Sequence, residues 1–234
     1  MIKSYFLLLL TLCTLNSWSQ DIVNQYDDAN LRHGIWRKYF DKTKQLRYEG
    51  QFDHGKEVGT FKFYTMNKGV SVLSATKQFN PDNDIAQVTF MSSQGHRISE
   101  GTMNRKLFVG KWVFYHKDGI AIMSTELYND SGELEGQKQV FYRSGAVAET
   151  SNYEKGMLNG PSLWYAENGT LLKAFTYKND ELHGVSKYYD NAGNLEAEGA
   201  YRNDLKHGVW SYYKDGVLVE TKDHTKRSKN PKKQ

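Results

Sequence analysis

Residues 198–216 read EGAYRNDLKHGVWSYYKDG, and residues 48–61 read YEGQFDHGKEVGTF. Both stretches place Glu-Gly ahead of an aromatic residue, follow it with a polar turn, and place a second glycine just before further aromatic residues. Apolar and polar residues alternate on each side of the turn, which is the periodicity of a strand with one packed face. The pattern therefore predicts β-hairpins as the building unit of this chain.

The second glycine of the pattern, called here the leading glycine, recurs along the chain at successive spacings of 25, 51, 26, 24, 24 and 24 residues. It falls at Gly34, Gly59, Gly110, Gly136, Gly160, Gly184 and Gly208. An aromatic ring stands five residues after each, at Tyr39, Tyr64, Tyr115, Phe141, Tyr165, Tyr189 and Tyr213. The gap of 51 holds two periods, so a degenerate unit without its glycine is expected near residue 84.

These spacings predict about eight hairpin units of about 24 residues, filling residues 20–221. A half unit at 20–33 precedes units that start near residues 34, 59, 84, 110, 136, 160, 184 and 208. The expected fold is all-β, an open single-layer antiparallel β-meander, elongated and twisted, because each hairpin contacts only its neighbours. Sixteen or seventeen strands at ~4.8 Å spacing would extend about 75 to 80 Å.

The two faces of such a sheet carry different rings. Residues two and four after a leading glycine share one face, which we expect to be the packed one, and the ring at position five points to the other. Glycines at 50, 101 and 199 leave room on the packed face for a ring of the next strand, where a larger residue would collide with that ring.

The two ends of the chain are unlike the repeats. Residues 1–19 combine one Lys, an apolar run and small residues near their end, which predicts a secretory signal peptide and a periplasmic or secreted protein. The only cysteine, Cys13, lies in that segment. The net charge of +4 comes mainly from residues 222–234, a basic tail expected to be disordered, whereas residues 20–221 carry −2. No nucleic-acid partner is predicted, because the tail has no interleaved aromatic rings.

Catalytic and metal chemistry find little support in the sequence. Equivalent positions of successive units lie about 9.6 Å apart, while histidines that share a zinc ion hold it at about 2.0 to 2.1 Å. We therefore predict no metal site from the histidines that precede leading glycines, which are His33, His183 and His207. The acids that precede glycine are repeated copies with no distinguished member, so no enzyme and no cofactor are predicted; they are Glu49, Glu100 and Glu198.

The stretches 48–61 and 198–216 resemble the MORN repeat, and more closely its bacterial variant, which occurs in chains described as antitoxin components. The resemblance extends over roughly residues 27–221. It implies an open antiparallel meander that binds proteins or lipids without enzymatic activity of its own.

Three interpretations follow for the ring row at position five. The leading hypothesis is an exported scaffold that binds another protein along this aromatic ribbon, the partner being a toxin by family analogy. The alternative is attachment to anionic lipid headgroups or cell-wall glycan through the row and the basic tail. In the third, the rings only shield the backbone from water. The candidate binding residues are Tyr39, Tyr64, Tyr115, Phe141, Tyr165, Tyr189 and Tyr213.

Overall fold

The computed structural model of the chain describes residues 22–225. The predicted signal peptide at residues 1–19 and most of the predicted tail therefore lie outside the described residues. All regular secondary structure within residues 22–225 is β-strand. The strands are β1 (Gln25–Tyr26), β2 (Arg32–Tyr39), β3 (Leu46–Asp53), β4 (Lys56–Asn67), β5 (Val70–Phe79), β6 (Ile85–Met91), β7 (Arg97–Asn104), β8 (Leu107–Tyr115), β9 (Ile122–Tyr128), β10 (Gly136–Phe141), β11 (Val147–Glu154), β12 (Met157–Tyr165), β13 (Leu171–Lys178), β14 (Glu181–Leu182), β15 (Gly184–Tyr189), β16 (Leu195–Arg202), β17 (Leu205–Lys214) and β18 (Val217–Asp223).

Each strand pairs antiparallel with the strand that follows it in the chain, from β1 to β14 and again from β15 to β18. The exception is β13, which pairs with both β14 and β15, because these two short strands together form one arm of a hairpin. The prediction of an all-β fold built as one open antiparallel meander is confirmed. Within residues 22–225, β1 and β18 are its two free edges.

The hairpins follow the repeat pattern. Strands β2 and β3 form the first hairpin and β17 and β18 the eighth, and the degenerate segment near residue 84 supplies β6 and β7 in the same arrangement. The strand of the half unit is short and pairs with β2 through Gln25 and Tyr26. Strand β18 continues to Asp223, so the first two residues of the predicted tail belong to the sheet.

The leading glycines create a bulge in their strands. All seven adopt positive φ angles, between 66° and 102°, which a residue with a Cβ atom rarely adopts. At Gly59 the pairing passes from Gln51–Val58 to Glu49–Lys62, so three residues of β4 face a single residue of β3. The bulge shifts the register so that a ring of β4 is placed over that single residue.

The residue under each such ring is the glycine that the sequence singled out. A Cβ atom built on Gly50 would lie 2.4 Å from ring carbons of Phe61. The corresponding distance is 2.5 Å for Gly101 beneath Trp112, and 2.3 Å for Gly199 beneath Trp210. Since real Cβ atoms do not approach ring carbons this closely, the predicted collision is confirmed.

The face at positions two and four, called here the aromatic face, is the packed one, as predicted. Phe61 is 1% exposed, while Trp112 and Trp210 are fully buried although the sheet has a single layer. Neighbouring rings on the same face cover them, and Phe108 stacks on Trp112 with ring centroids 3.6 Å apart. Both indoles donate a hydrogen bond to a backbone carbonyl beside the bulge, at 2.9 Å to Thr102 and 3.1 Å to Ala200.

In the repeat led by Gly160 the ring and the small residue exchange strands. Ser162 stands two residues after its leading glycine, where other repeats have a ring, and it pairs with Phe175 of the next strand. Ser162 and the equivalent Ser186 are both fully buried. The hydroxyl oxygens of both lack a hydrogen-bond partner among the described residues. Ser162 is therefore the small partner of a ring, as Gly50, Gly101 and Gly199 are elsewhere in the sheet.

Candidate functional site

The rings at position five lie on the face opposite the aromatic face, called here the tyrosine face. Each follows directly after a register shift in its hairpin, for example between Phe63 and Tyr64 or between Tyr212 and Tyr213. The degenerate hairpin has the same shift between Phe90 and Met91, so a methionine takes the place of the ring there. Of the seven rings only Tyr39 is exposed, and the other six are half-buried.

Three tyrosines of the row donate a hydrogen bond to the glutamate that stands 15 residues earlier, on the preceding strand. The pairs are Tyr64 to Glu49 at 3.0 Å, Tyr115 to Glu100 at 2.5 Å and Tyr213 to Glu198 at 3.0 Å. The repeated acid before glycine therefore has a structural role: it anchors the phenol hydroxyl and leaves the ring lying along the sheet. This pairing was not predicted from the sequence, although both residues recur at fixed positions of the repeat.

Cations surround the same carboxylates. Lys62 and Arg37 each lie 3.5 Å from Glu49, on the two strands that flank it. Lys187 lies 3.1 Å from Glu198 in the same arrangement. The tyrosine face thus carries a row of contacts, called here the ladder, in which each glutamate binds a neutral phenol and one or two cations; its members include Tyr64, Glu49, Arg37 and Lys62, and Tyr213, Glu198 and Lys187.

The pKa values of the ladder residues suit a binding surface better than acid–base catalysis. Burial and the hydrogen bond to Glu49 raise the pKa of Tyr64 to about 12. Burial alone would raise the pKa of Glu49, but the hydrogen bond from Tyr64 and the charge of Lys62 outweigh it and lower that pKa. The hydrogen bonds from Lys187 and Tyr213 lower the pKa of Glu198. At neutral pH Glu49 and Glu198 are therefore ionised and Tyr64 is protonated, so none of the three is tuned for proton transfer near pH 7.

The two ends of the tyrosine face differ in character. On β4 to β8 a shallow, open groove of about 560 Å³ is lined mainly by polar side chains, including Thr60, Thr76, Gln78, Gln87, Thr89 and Lys111. Towards the C-terminus, the residues directly after the leading glycines are the exposed apolar Pro161, Val185 and Val209. Apolar side chains at this position thus fill three successive repeats at the C-terminal end, whereas Ile35 is an isolated example in the first repeat.

The free edge strand β18 adds to this apolar region. All seven of its residues are exposed, among them Val217, Leu218 and Val219. Ten large apolar side chains of the described residues are more than half exposed, and six of them fall between Val185 and Val219. Clusters of this kind mark interaction sites in soluble proteins more often than isolated exposed residues do.

A buried ion pair interrupts the aromatic face in the middle of the sheet. Lys138, at position two of its repeat, lies 2.9 Å from Glu126, whose side chain is only 11% exposed. Tyr128 donates a hydrogen bond of 2.5 Å to the other oxygen of that carboxylate. Burial would lower the pKa of Lys138, but the bond to Glu126 outweighs it and raises the pKa. The sequence signal was a lysine at a position that other repeats fill with a ring or serine.

Histidines meet at the N-terminal end of the sheet in a way that the repeat spacing did not predict. His33, the residue before the first leading glycine, lies beside Asp27 and His54, and the ligand atoms of the three are within 4.8 Å of one another. His183 and His207 occupy the equivalent positions of later hairpins. His54, in the turn between β3 and β4, does not occupy a repeat position equivalent to His33, so the spacing of the repeats did not indicate that the two would meet.

The family model for the MORN repeat variant matches residues 158–179 and 182–203. These two segments are MORN-variant repeats. The first MORN match runs from β12 to just past β13 and the second from β14 to just past β16, so each covers one hairpin. The resemblance inferred from the residues is confirmed over these two segments.

Comparison with curated proteins gives no match for this chain. In the described residues no helix is long and apolar enough to span a membrane.

Proposed function

We propose that this MORN-repeat chain is an exported, non-enzymatic scaffold that binds another protein through the C-terminal part of its tyrosine face and the adjoining edge strand β18. The observation that carries the proposal is the concentration of exposed apolar side chains between Val185 and Val219. Export rests on the signal-like residues 1–19.

The chemistry of this region suits a protein partner. Tyr213 is tied to Glu198 by its hydroxyl, so it offers a ring held in place at little further cost in side-chain entropy. Strand β18 has one side without a neighbouring strand in residues 22–225, and an extended segment of a partner can pair with such an edge. Apolar side chains beside that edge would supply the affinity, and the backbone would supply the register.

The tyrosine face is poorly suited to an anionic bilayer. Lys187 is paired with Glu198, and Arg37 and Lys62 share Glu49, so two of these three positive charges are offset by a carboxylate before any lipid headgroup binds. A narrower form of the proposal, which rests on the family resemblance, makes the partner a toxin that the scaffold neutralises. Growth arrest by the partner alone, relieved by co-expression of this chain, would support that form.

The test compares two double variants with equal numbers of new charges. V185E/V209E alters the proposed surface, whereas V70E/I120E alters side chains that are similarly exposed but lie in other repeats. Partners captured from the envelope fraction by the wild-type chain are identified and purified, and their affinities are measured by calorimetry. V185E/V209E and Y189A/Y213A should weaken binding at least tenfold, and V70E/I120E should not.

Equal affinity of all four proteins would contradict the proposal. Circular dichroism of each variant checks that the sheet is intact. A second arm measures binding to vesicles that contain anionic lipid, at low and high salt, with and without residues 226–234. Salt-sensitive vesicle binding that disappears with these residues, together with unchanged protein binding by V185E/V209E, would favour the envelope reading instead.

A further inference from the structure

The cluster at the N-terminal end of the sheet brings together side chains from three separate segments. Asp27 lies in the turn between β1 and β2, His33 is the second residue of β2, Asp53 is the last residue of β3, and His54 lies in the turn between β3 and β4. Ligand atoms of Asp27, His33 and His54 all lie within 4.8 Å of one another.

The distances show how closely the groups converge. His54 Nδ1 lies 2.6 Å from Asp27 Oδ2, and His33 Nδ1 lies 3.5 Å from Asp53 Oδ1. His54 Nε2 lies 3.8 Å from the same oxygen of Asp53, and the two imidazole rings are 5.0 Å apart between centroids. The ligand atoms of Asp27, His33 and His54 thus converge at the surface of the sheet, while Asp53 lies beside the other ring nitrogen of His54.

The backbone holds these groups in place. Asp27 Oδ1 accepts hydrogen bonds from the N–H groups of Ala29 and Leu31, at 2.9 and 2.8 Å, which leaves Oδ2 directed at His54. His54 has a φ angle of 44° in its turn, and the N–H of the next residue, Gly55, donates to the carbonyl of Arg32 at 2.8 Å. Both turns are therefore fixed by bonds that do not involve the imidazoles.

The fold itself does not require this set of residues. In the equivalent turns of other hairpins, the position of His54 with positive φ is taken by Arg105, Lys155, Asn179 and Asn203. The position before the leading glycine, occupied by His33, holds Val58, Val109, Glu135 and Asn159 in four other repeats and a histidine in the remaining two. Only at the N-terminal end of residues 22–225 do histidines at both positions meet an aspartate.

We propose that Asp27, His33 and His54 form a binding site for a divalent transition-metal ion, with Zn²⁺ as the best match and water as the fourth ligand. Imidazole nitrogen together with carboxylate oxygen suits Zn²⁺ and its neighbours better than Mg²⁺ or Ca²⁺, which take oxygen ligands. The ion would join the β1–β2 turn, β2 and the β3–β4 turn, and so clamp the free N-terminal edge of the sheet.

The required movement is small. Zinc ligands at about 2.0 to 2.1 Å in a tetrahedron are about 3.3 Å from one another. The 2.6 Å contact of His54 with Asp27 would open slightly, and the widest separation of 4.8 Å would close. The side chain of His54 is 68% exposed, so it can rotate without disturbing packed neighbours.

The repeats themselves supply substitutions that keep the fold. H54N introduces the residue found at 179 and 203, and H33V introduces the residue found at 58 and 109. D27N keeps an Oδ1 atom for the two backbone N–H groups. H183V is the matched control, because it removes a histidine from the same repeat position outside the cluster. All are tested as the full chain without an affinity tag, after treatment with a chelator.

Calorimetric titration with ZnCl₂ should show one ion per wild-type chain at micromolar affinity or tighter. H54N, H33V and D27N should each weaken binding at least tenfold, while H183V should not. Cobalt added in place of zinc should give the visible absorption of a tetrahedral site in the wild type and in H183V, but not in the three cluster variants. Absence of saturable binding, unchanged affinity in both histidine variants, or displacement of zinc by millimolar Ca²⁺ would overturn the proposal.

Discussion

Gly199 offers the sharpest test of how the single-layer sheet buries its rings. A Cβ atom at this position would lie 2.3 Å from Cδ2 of Trp210 and 2.5 Å from its Cγ, near the stem of the side chain. The indole cannot swing aside at its far end, so G199A must displace the whole ring. The backbone at Gly199 is extended strand paired with Ser186, and alanine can adopt that conformation.

The size of the effect follows from what Trp210 loses. The ring is fully buried and donates a 3.1 Å hydrogen bond to the carbonyl of Ala200. Burying a whole tryptophan side chain of roughly 200 Å² contributes about 5 kcal/mol, so exposing half of it costs about 2.5 kcal/mol. With about 1 kcal/mol for the hydrogen bond, G199A should lower the free energy of unfolding by about 3 kcal/mol.

The assay is a double-mutant cycle with W210A, followed by urea denaturation and circular dichroism. Once the indole is gone, alanine at position 199 has room, and it restricts the unfolded chain more than glycine does. In the W210A background, G199A should therefore be neutral or stabilise by roughly 0.5 to 1 kcal/mol. A cost of about 3 kcal/mol in both backgrounds would refute the idea that the glycine exists to accommodate the ring.

Two further predictions concern buried polar groups. K138M should destabilise the sheet by about 2 to 3 kcal/mol in urea denaturation, because it leaves the carboxylate of Glu126 buried without its cation, and E126L/K138M should recover most of that loss. Alkaline difference spectra of wild type against Y64F should show a phenol with a pKa of about 12, and E49Q should lower it. Because the folded pKa lies above the unfolded value of about 10, the stabilisation from Tyr64 is complete below pH 10 and disappears as pH rises through about 12.

The fold could be predicted from the sequence because each hairpin is specified locally. Alternation within a strand, a glycine turn and a leading glycine with positive φ are all encoded within about 24 residues, and each unit contacts only its neighbours. Even the close approach of Trp112 to Gly101 followed from the repeat, since the bulge also places Phe61 over Gly50 and Trp210 over Gly199.

The candidate sites were harder to predict because they depend on which side chains meet across strands. The hydrogen bonds from Tyr64, Tyr115 and Tyr213 to their glutamates require the register between neighbouring strands and the bulge that aims each ring. The cluster of Asp27 and His54 joins the turn before the first hairpin to the turn after it. The two residues are 27 positions apart and do not occupy equivalent places in the repeat. Comparison of equivalent positions cannot find such a contact.

The sequence by itself determined the all-β meander, the number and length of its hairpins and the face that packs, because a one-dimensional repeat makes long-range structure a sum of local choices. Only the tertiary structure decided how the exceptions to the repeat combine. Lys138 pairs with the carboxylate of Glu126 on the neighbouring hairpin. The exposed side chains of Val185 and Val209 lie in the repeats nearest β18, and His33 lies beside His54 at the N-terminal edge. Each of these depends on distances across strands, which the spacing of residues along the chain does not specify.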